Sequence, residues 1–133
     1  MNFLNRLQPL GLLVLRLVLG IIMIAHGWQK IADHMHGITG MMHQIGFPPF
    51  MAYLVAATEF GGGIMILIGF LTRLAALATF IDMLVAILKV HLPHGLFASN
   101  GGFEFPMACA AIAFALIFSG AGPIAIDWLL GSK

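Results

Sequence analysis

Four long apolar stretches alternate with polar connections along the chain, at residues 10–28, 50–71, 74–90 and 105–119. An α-helix rises about 1.5 Å per residue, so about 20 apolar residues cross a hydrocarbon core about 30 Å thick. Each stretch has that length or approaches it. The pattern therefore predicts an all-α membrane protein with four transmembrane helices.

The connections between these stretches predict how the helices are arranged. Only Thr72 and Arg73 separate the second stretch from the third, which permits a tight antiparallel hairpin. The glycines and proline within residues 119–123 end the fourth helix, and residues 124–130 predict a short interfacial segment. We therefore expect a single transmembrane domain over residues 1–133, folded as a four-helix antiparallel bundle.

The composition supports a membrane environment and excludes several classes of function. Of the 133 residues, 61% are hydrophobic and only 8% are charged, whereas an average soluble domain is about a quarter charged. The net charge of +1 and the absence of a basic run exclude nucleic acid as a partner. Because Cys109 is the single cysteine, neither an intrachain disulfide nor a cysteine metal cluster can form. The partner that the composition implies is the lipid bilayer.

The distribution of basic residues predicts the orientation. Four crossings would place both termini and the turn at residues 72–73 on one side of the membrane. That side carries Arg6, Arg73 and Lys133, whereas Lys30 and Lys89 lie near the other side. The positive-inside rule then favours cytoplasmic termini.

Three ionisable side chains, Arg16, Glu59 and Asp82, lie within apolar stretches, where an ionised group costs about 2.5–3.5 kcal/mol on insertion scales. Arg16 interrupts the first stretch, so we expect a retained helix rather than a cleaved signal peptide. Each residue is close to the middle of its helix, and we expect all three to meet near the membrane midplane. One arginine between two carboxylates leaves a net negative charge, so one carboxyl can hold a proton. Such a cluster suits a proton relay or a polar ligand site, or it is an ion pair that only joins the helices.

The histidines gather on the side away from the termini; they are His26, His34, His36, His43, His91 and His94. Their spacing matches no metal-binding motif, and we predict no metal site. His26 and His91 each close a helix and can face the same inter-helix space, where imidazole can transfer protons. In an α-helix, His91 lies about half a turn from Asp82, so only one of the two is expected to face the bundle centre. On the opposite side, we expect Arg73 and Asp127 to form a structural ion pair.

Six short motifs carry a resemblance to a known family: Arg16-x-x-x-Gly20, His26-Gly27-x-x-Lys30, Glu59-x-Gly61-Gly62, Gly69-x-x-Thr72-Arg73, Gly122-Pro123 and Asp127. Over nearly the whole chain, these residues and their order resemble the DoxX family of bacterial membrane proteins. The resemblance implies a four-helix bundle in the bacterial inner membrane, in a family named for subunits linked to quinol oxidase and thiosulfate:quinone oxidoreductase complexes. The positions that it carries over are Arg16, His26, Lys30, Glu59, Arg73 and Asp127. The segment after Pro93 departs from the family pattern and leaves His94 and Glu104 without a role.

The leading hypothesis is a membrane redox component, or a subunit of a membrane oxidoreductase system, that binds a quinone between helices without a covalent cofactor. The residues expected to act in catalysis are Glu59, Arg16, His26 and His91. Those expected to bind the ligand are Arg16, Glu59, Asp82 and Lys30. The sequence holds no cysteine pair and no nucleotide-binding or haem-attachment motif, so a redox role requires a membrane or soluble protein partner.

Two other hypotheses remain open at the level of the sequence. The chain can be a non-catalytic accessory or assembly subunit of a larger membrane complex, in which the charged cluster is structural. It can also be a small-molecule transporter, in which case we expect a homo-oligomer that encloses the transport path. Whether the protein is an enzyme stays open.

Overall fold

The computed structural model describes residues 1–132, and within them every regular element is a helix. Lys133, which the orientation argument counted, lies outside the described residues. The α-helices are α1 (Asn2–Arg6), α2 (Gln8–Ala32), α3 (His36–Gln44), α4 (Met51–Ile68), α5 (Thr72–Ala86), α6 (Glu104–Ser119) and α7 (Ile126–Leu129). After α5 the chain continues through a π-helical turn, Ile87–His91, and two 3₁₀ turns, Leu92–His94 and Ala98–Asn100.

Three helical segments are long and apolar enough to cross a membrane: Gln8–Ala32, Met51–Ile68 and Thr72–His94. The predicted fourth crossing corresponds to α6, an apolar helix of 16 residues, which spans about 24 Å. It starts at Glu104 and stops before Gly120, whose φ of 70° an α-helix cannot accommodate. The all-α class is confirmed, whereas the fourth crossing and the antiparallel order stay predictions.

Glycines set the distance between α2 and α4. A Cβ atom on Gly20 would lie 3.0 Å from the carbonyl oxygen of Gly63, and one on Gly63 would lie 2.9 Å from the backbone nitrogen of Ile24. At Gly27 a Cβ atom would collide with the backbone of Phe60. The two backbones therefore touch directly, as in membrane helix pairs built on small residues.

The main core joins α2, α4, α5 and α6 through small and flexible apolar side chains: Leu19, Met23, Ile66, Ala75, Ala76, Met83, Cys109, Ala110, Ala113 and Leu116. Large apolar side chains such as Ile21, Leu74 and Phe118 are exposed, which suits helix faces that contact lipid.

The helix α3 packs over one end of this bundle. Its buried side chains, Ile38 and Met42, form a second apolar cluster with Ala52 of α4. The sequence predicts only a polar connection here, over residues 29–46, but apolar residues at 38, 41, 42 and 45 follow the i, i+3, i+4, i+7 spacing of an amphipathic helix. A helix therefore covers the end of the bundle, within the predicted polar connection.

Candidate functional site

A cavity of about 570 Å³ lies between α2, α4, α5 and the covering helix α3. Most of its wall is apolar, with methionine, isoleucine, leucine and valine side chains from all four helices. Its polar lining residues are His26, Lys30, Thr58, Glu59, Asp82 and His91. Five of these six were selected from the sequence, and the structure brings them to one cavity.

An ion pair joins two walls of the cavity. Lys30 Nζ, in the last turn of α2, lies 2.5 Å from Glu59 Oε2 in the middle of α4. The Glu59 residue is 5% exposed, and the Lys30 side chain is 21% exposed. Gly27 lies one helical turn before Lys30 and touches Phe60, which follows Glu59. The glycine contact therefore brings the ammonium and the carboxylate within reach of each other.

Asp82 adds a second carboxyl beside this pair. Its carboxyl group, on α5, interacts directly with that of Glu59. The Oδ2 atom is buried, and no N–H or O–H group of residues 1–132 donates a hydrogen bond to it. Two carboxyls against one ammonium leave an excess of one negative charge. The sequence predicts this excess of negative charge, but with Arg16 as the cation; in the structure the cation beside the two carboxyls is Lys30.

His26 and His91 lie at the edge of the cavity. The His26 ring stacks on Phe105 with the ring centroids 5.4 Å apart. His91 Nδ1 lies 2.8 Å from the carbonyl oxygen of Gly101, and because a carbonyl only accepts, Nδ1 is the donor. That leaves Nε2 of His91 without its proton when the ring is neutral.

The side chains of His91 and Asp82 line the same cavity, although nine residues of regular α-helix would place them about half a turn apart. The reason is the π-helical turn Ile87–His91. Each residue in a π turn rotates less about the helix axis than a residue in an α-helix. The half-turn offset calculated for an uninterrupted α-helix therefore does not apply.

Arg16 does not join the cavity and does not meet Glu59 or Asp82. It is 1% exposed, and its guanidinium donates to four backbone carbonyls. The partners are Ile66 at 3.0 Å, Leu67 at 2.9 Å, Ala121 at 3.1 Å and Ile124 at 2.6 Å. Carbonyls at the end of a helix lack intrahelical partners, and a forked guanidinium can satisfy several of them at once.

The contacts between α2 and α4 explain why the expected cluster does not form. Gly20 touches Gly63, so Arg16, one turn earlier in α2, is level with the last turn of α4 rather than with its middle. The structure therefore assigns Arg16 to holding α4 against the C-terminal segment. Gly69 belongs to the same arrangement, since a Cβ atom there would lie 2.7 Å from Arg16 Nη2.

Asp127 closes the turn between α4 and α5. Its carboxylate accepts hydrogen bonds from the backbone N–H groups of Leu71 at 2.7 Å and Thr72 at 2.9 Å. Its own N–H donates to the Gly69 carbonyl at 2.7 Å. A carboxylate at this position also complements the positive end of the helix dipole of α5.

The expected ion pair of Arg73 with Asp127 is not formed. Arg73 Nη1 donates to the carbonyls of Ile117 and Phe118, each at 2.7 Å. Among residues 1–132, the one salt bridge is that of Lys30 with Glu59. Backbone groups at the helix ends bind both side chains instead.

Comparisons with known proteins identify the family to which the chain belongs. The DoxX family model matches residues 11–92, a range that contains every polar residue lining the cavity. The chain is 37% identical to "Inner membrane protein YqjF" of Escherichia coli, over 97% of this chain and 98% of that protein. It is 33% identical to "Putative oxidoreductase CatD" of Bacillus subtilis, over 92% of this chain and 89% of that protein. No solved structure matches the chain. The chain belongs to the DoxX family of integral membrane proteins.

Proposed function

We propose that this protein binds a lipid-soluble quinone in the cavity beneath α3, as a component of a membrane oxidoreductase system. The observation that supports it is an apolar cavity with an ion pair and a second carboxyl in its wall. The volume of about 570 Å³ falls within the range of about 300–1,000 Å³ that is usual for small-molecule sites. Apolar walls suit the ring and tail of a quinone, and the polar groups suit its oxygens.

The side chains of this protein have distinct roles in the proposal. Lys30 donates a hydrogen bond to a ligand oxygen, and Glu59 holds the Lys30 ammonium in place. Asp82 accepts a hydrogen bond from the ligand and shares a proton with Glu59. His26 and His91 pass protons between the carboxyls and the loop side, and α3 excludes water.

A bound quinone supplies two-electron, two-proton redox chemistry. The electrons come from, or go to, a separate protein partner in this proposal. The oxidoreductase in the name of the Bacillus subtilis relative supports the redox role. We further propose that α6 is a fourth crossing and that both termini are cytoplasmic.

Calorimetric titration of the purified protein in lipid nanodiscs, with a short-chain menaquinone, tests the proposal. We expect saturable binding by the native protein and at least tenfold weaker binding by Glu59→Gln and Asp82→Asn. Asp33→Asn is the matched control, because Asp33 is an exposed carboxylate outside the cavity lining. An asparagine there can still accept the hydrogen bond that Asp33 Oδ2 receives from the Gly37 N–H.

Thermal unfolding of every variant shows whether a loss of binding reflects a loss of fold. If the native protein unfolds cooperatively but shows no saturable binding, the proposal fails. That result would favour the accessory-subunit alternative. If Asp33→Asn weakens binding as much as Asp82→Asn, the assignment of the ligand to this cavity fails.

A further inference from the structure

The inner wall of the cavity leaves a carboxyl oxygen without a hydrogen-bond donor. Glu59 and Asp82 together contribute four carboxyl oxygens. Lys30 donates to one of them, Glu59 Oε2. A proton shared between the two carboxyls would engage at most two more. At least one oxygen therefore has no donor.

The structure identifies where an acceptor is left over. Asp82 lines the cavity, and no N–H group of residues 1–132 donates to its carboxyl: the Lys30 contact is made with Glu59, and the Nδ1 proton of His91 goes to Gly101. Its Oδ2 is fully buried and out of reach of a ligand, so the acceptor that faces the cavity is Oδ1. The ammonium of Lys30 has further N–H groups beyond the one bound to Glu59. A ligand at this wall therefore meets a free acceptor on α5 and a free donor on α2.

These groups distinguish the two redox forms of a quinone ring. A quinol hydroxyl can donate to the Asp82 carboxyl while its oxygen accepts from Lys30. A quinone carries only acceptors, so it can use the Lys30 donor but covers the cavity-facing oxygen of Asp82 without giving it a hydrogen bond. Sites that hydrogen-bond a hydroxyl discriminate strongly against analogues that lack it, because the buried polar group is then unpaired.

We infer that this cavity selects ring ligands with a free hydroxyl, quinols over quinones, and that Asp82 is the residue that makes the selection. The inference rests on the proposed function, since it concerns ligands of the same cavity. It assigns the protein to the quinol side of the couple, as a site that receives or retains the reduced form.

Three probes that share one tetramethyl-substituted ring separate the hydroxyl from the ring: durohydroquinone, duroquinone and the dimethyl ether of durohydroquinone. Calorimetric titration under anaerobic conditions in nanodiscs measures the affinity of each. We expect the native protein to bind the hydroquinone at least tenfold more tightly than either of the other two. The dimethyl ether keeps the reduced ring but cannot donate, so it separates hydrogen bonding from redox state.

The variant Asp82→Asn tests the residue, because its amide is close in shape and can donate as well as accept. We expect the preference for the hydroquinone to fall below threefold in Asp82→Asn and to keep its native value in Asp33→Asn. A thermal unfolding scan confirms that both variants are folded. A preference that survives unchanged in folded Asp82→Asn would overturn the role of Asp82.

The outcomes also separate this inference from the proposed function. Saturable binding of hydroquinone and quinone with equal affinity would overturn the inference and leave the proposed function in place. Tighter binding of the quinone would overturn the inference too. Failure of all three probes and of the short-chain menaquinone to bind the folded native protein would overturn both.

Discussion

Adding one methyl group at Gly27 should separate the two helices that carry the ion pair. In Gly27→Ala, the new Cβ atom would lie 2.7 Å from Phe60 Cβ and 2.8 Å from Phe60 Cα, whereas carbon atoms pack at about 3.5–4.0 Å. The backbone of α4 must therefore move by about 1 Å. Overpacking of this kind costs about 1–3 kcal/mol, against a gain of at most about 1 kcal/mol from the higher helix propensity of alanine.

The control for this substitution lies in the same helix. A Cβ atom on Gly11 would meet nothing within 4 Å, so Gly11→Ala keeps the propensity gain without the collision. Reversible unfolding in mixed micelles measures both free energies of unfolding. We expect Gly27→Ala to be destabilised and Gly11→Ala to be at least as stable as the native protein. Equal stability of the two variants would refute the close contact between α2 and α4.

Three further substitutions test the other contacts by the same unfolding measurement. Lys30→Met should lower the free energy of unfolding by about 3–5 kcal/mol, because it leaves Glu59 buried without its partner. The double variant Lys30→Met with Glu59→Gln should recover most of that loss, and no recovery would contradict the pairing. Arg16→Lys should lower the free energy of unfolding by about 1–3 kcal/mol, since one ammonium has three N–H groups and leaves at least one of the four carbonyls unpaired. Limited proteolysis after residue 120 should become faster, and an unchanged rate would contradict the contact of Arg16 with the C-terminal segment. Asp127→Ala should lower the free energy of unfolding by about 1–2 kcal/mol, because two hydrogen bonds to the start of α5 are lost. An unchanged free energy of unfolding would show that the carboxylate does not cap this helix.

The apolar stretches predicted most of the helices because hydrophobic length is a direct consequence of crossing a bilayer. The missed element, α3, lies in the polar connection 29–46. The apolar residues at 38, 41, 42 and 45 have helical spacing, but the helix is only nine residues long. Its N-terminus follows His34 and Met35, which have φ values of 50° and 67°. Neither residue type signals a left-handed conformation as glycine would, so this helix start could not be located from the residues.

The site was predicted in its residue types but not in its pairings. Charge at membrane depth selected Glu59 and Asp82, because ionisable groups there need partners, and the structure places their carboxyls in contact. The partner of Glu59 depends on how α2 slides along α4, which the contact of Gly27 with Phe60 sets. That register is a tertiary property, and distance from the middle of a stretch does not reveal it. The π-helical turn that brings His91 to the cavity is likewise a departure from regular helix geometry.

The residues that carry the family resemblance divide between two places in the structure. At one, Arg16 and Asp127 hold the C-terminal segment against the turn between α4 and α5, with Gly69 leaving room for the guanidinium. At the other, Gly27 places Lys30 against Glu59 beside the cavity. The family motifs therefore combine a structural arrangement with a candidate ligand site. Mutations in either group should lower stability, and those beside the cavity should also weaken ligand binding.

Photolabelling with an azidoquinone tests most directly whether the cavity is the quinone site. The protein in nanodiscs is irradiated with the probe, digested and mapped by mass spectrometry, with and without excess unlabelled menaquinone. We expect competed label on the cavity-facing parts of α3, α4 and α5, within residues 38–59 and 81–91. Label confined to lipid-facing residues such as Ile21 and Leu74, or label that unlabelled menaquinone does not displace, would contradict a quinone site in this cavity.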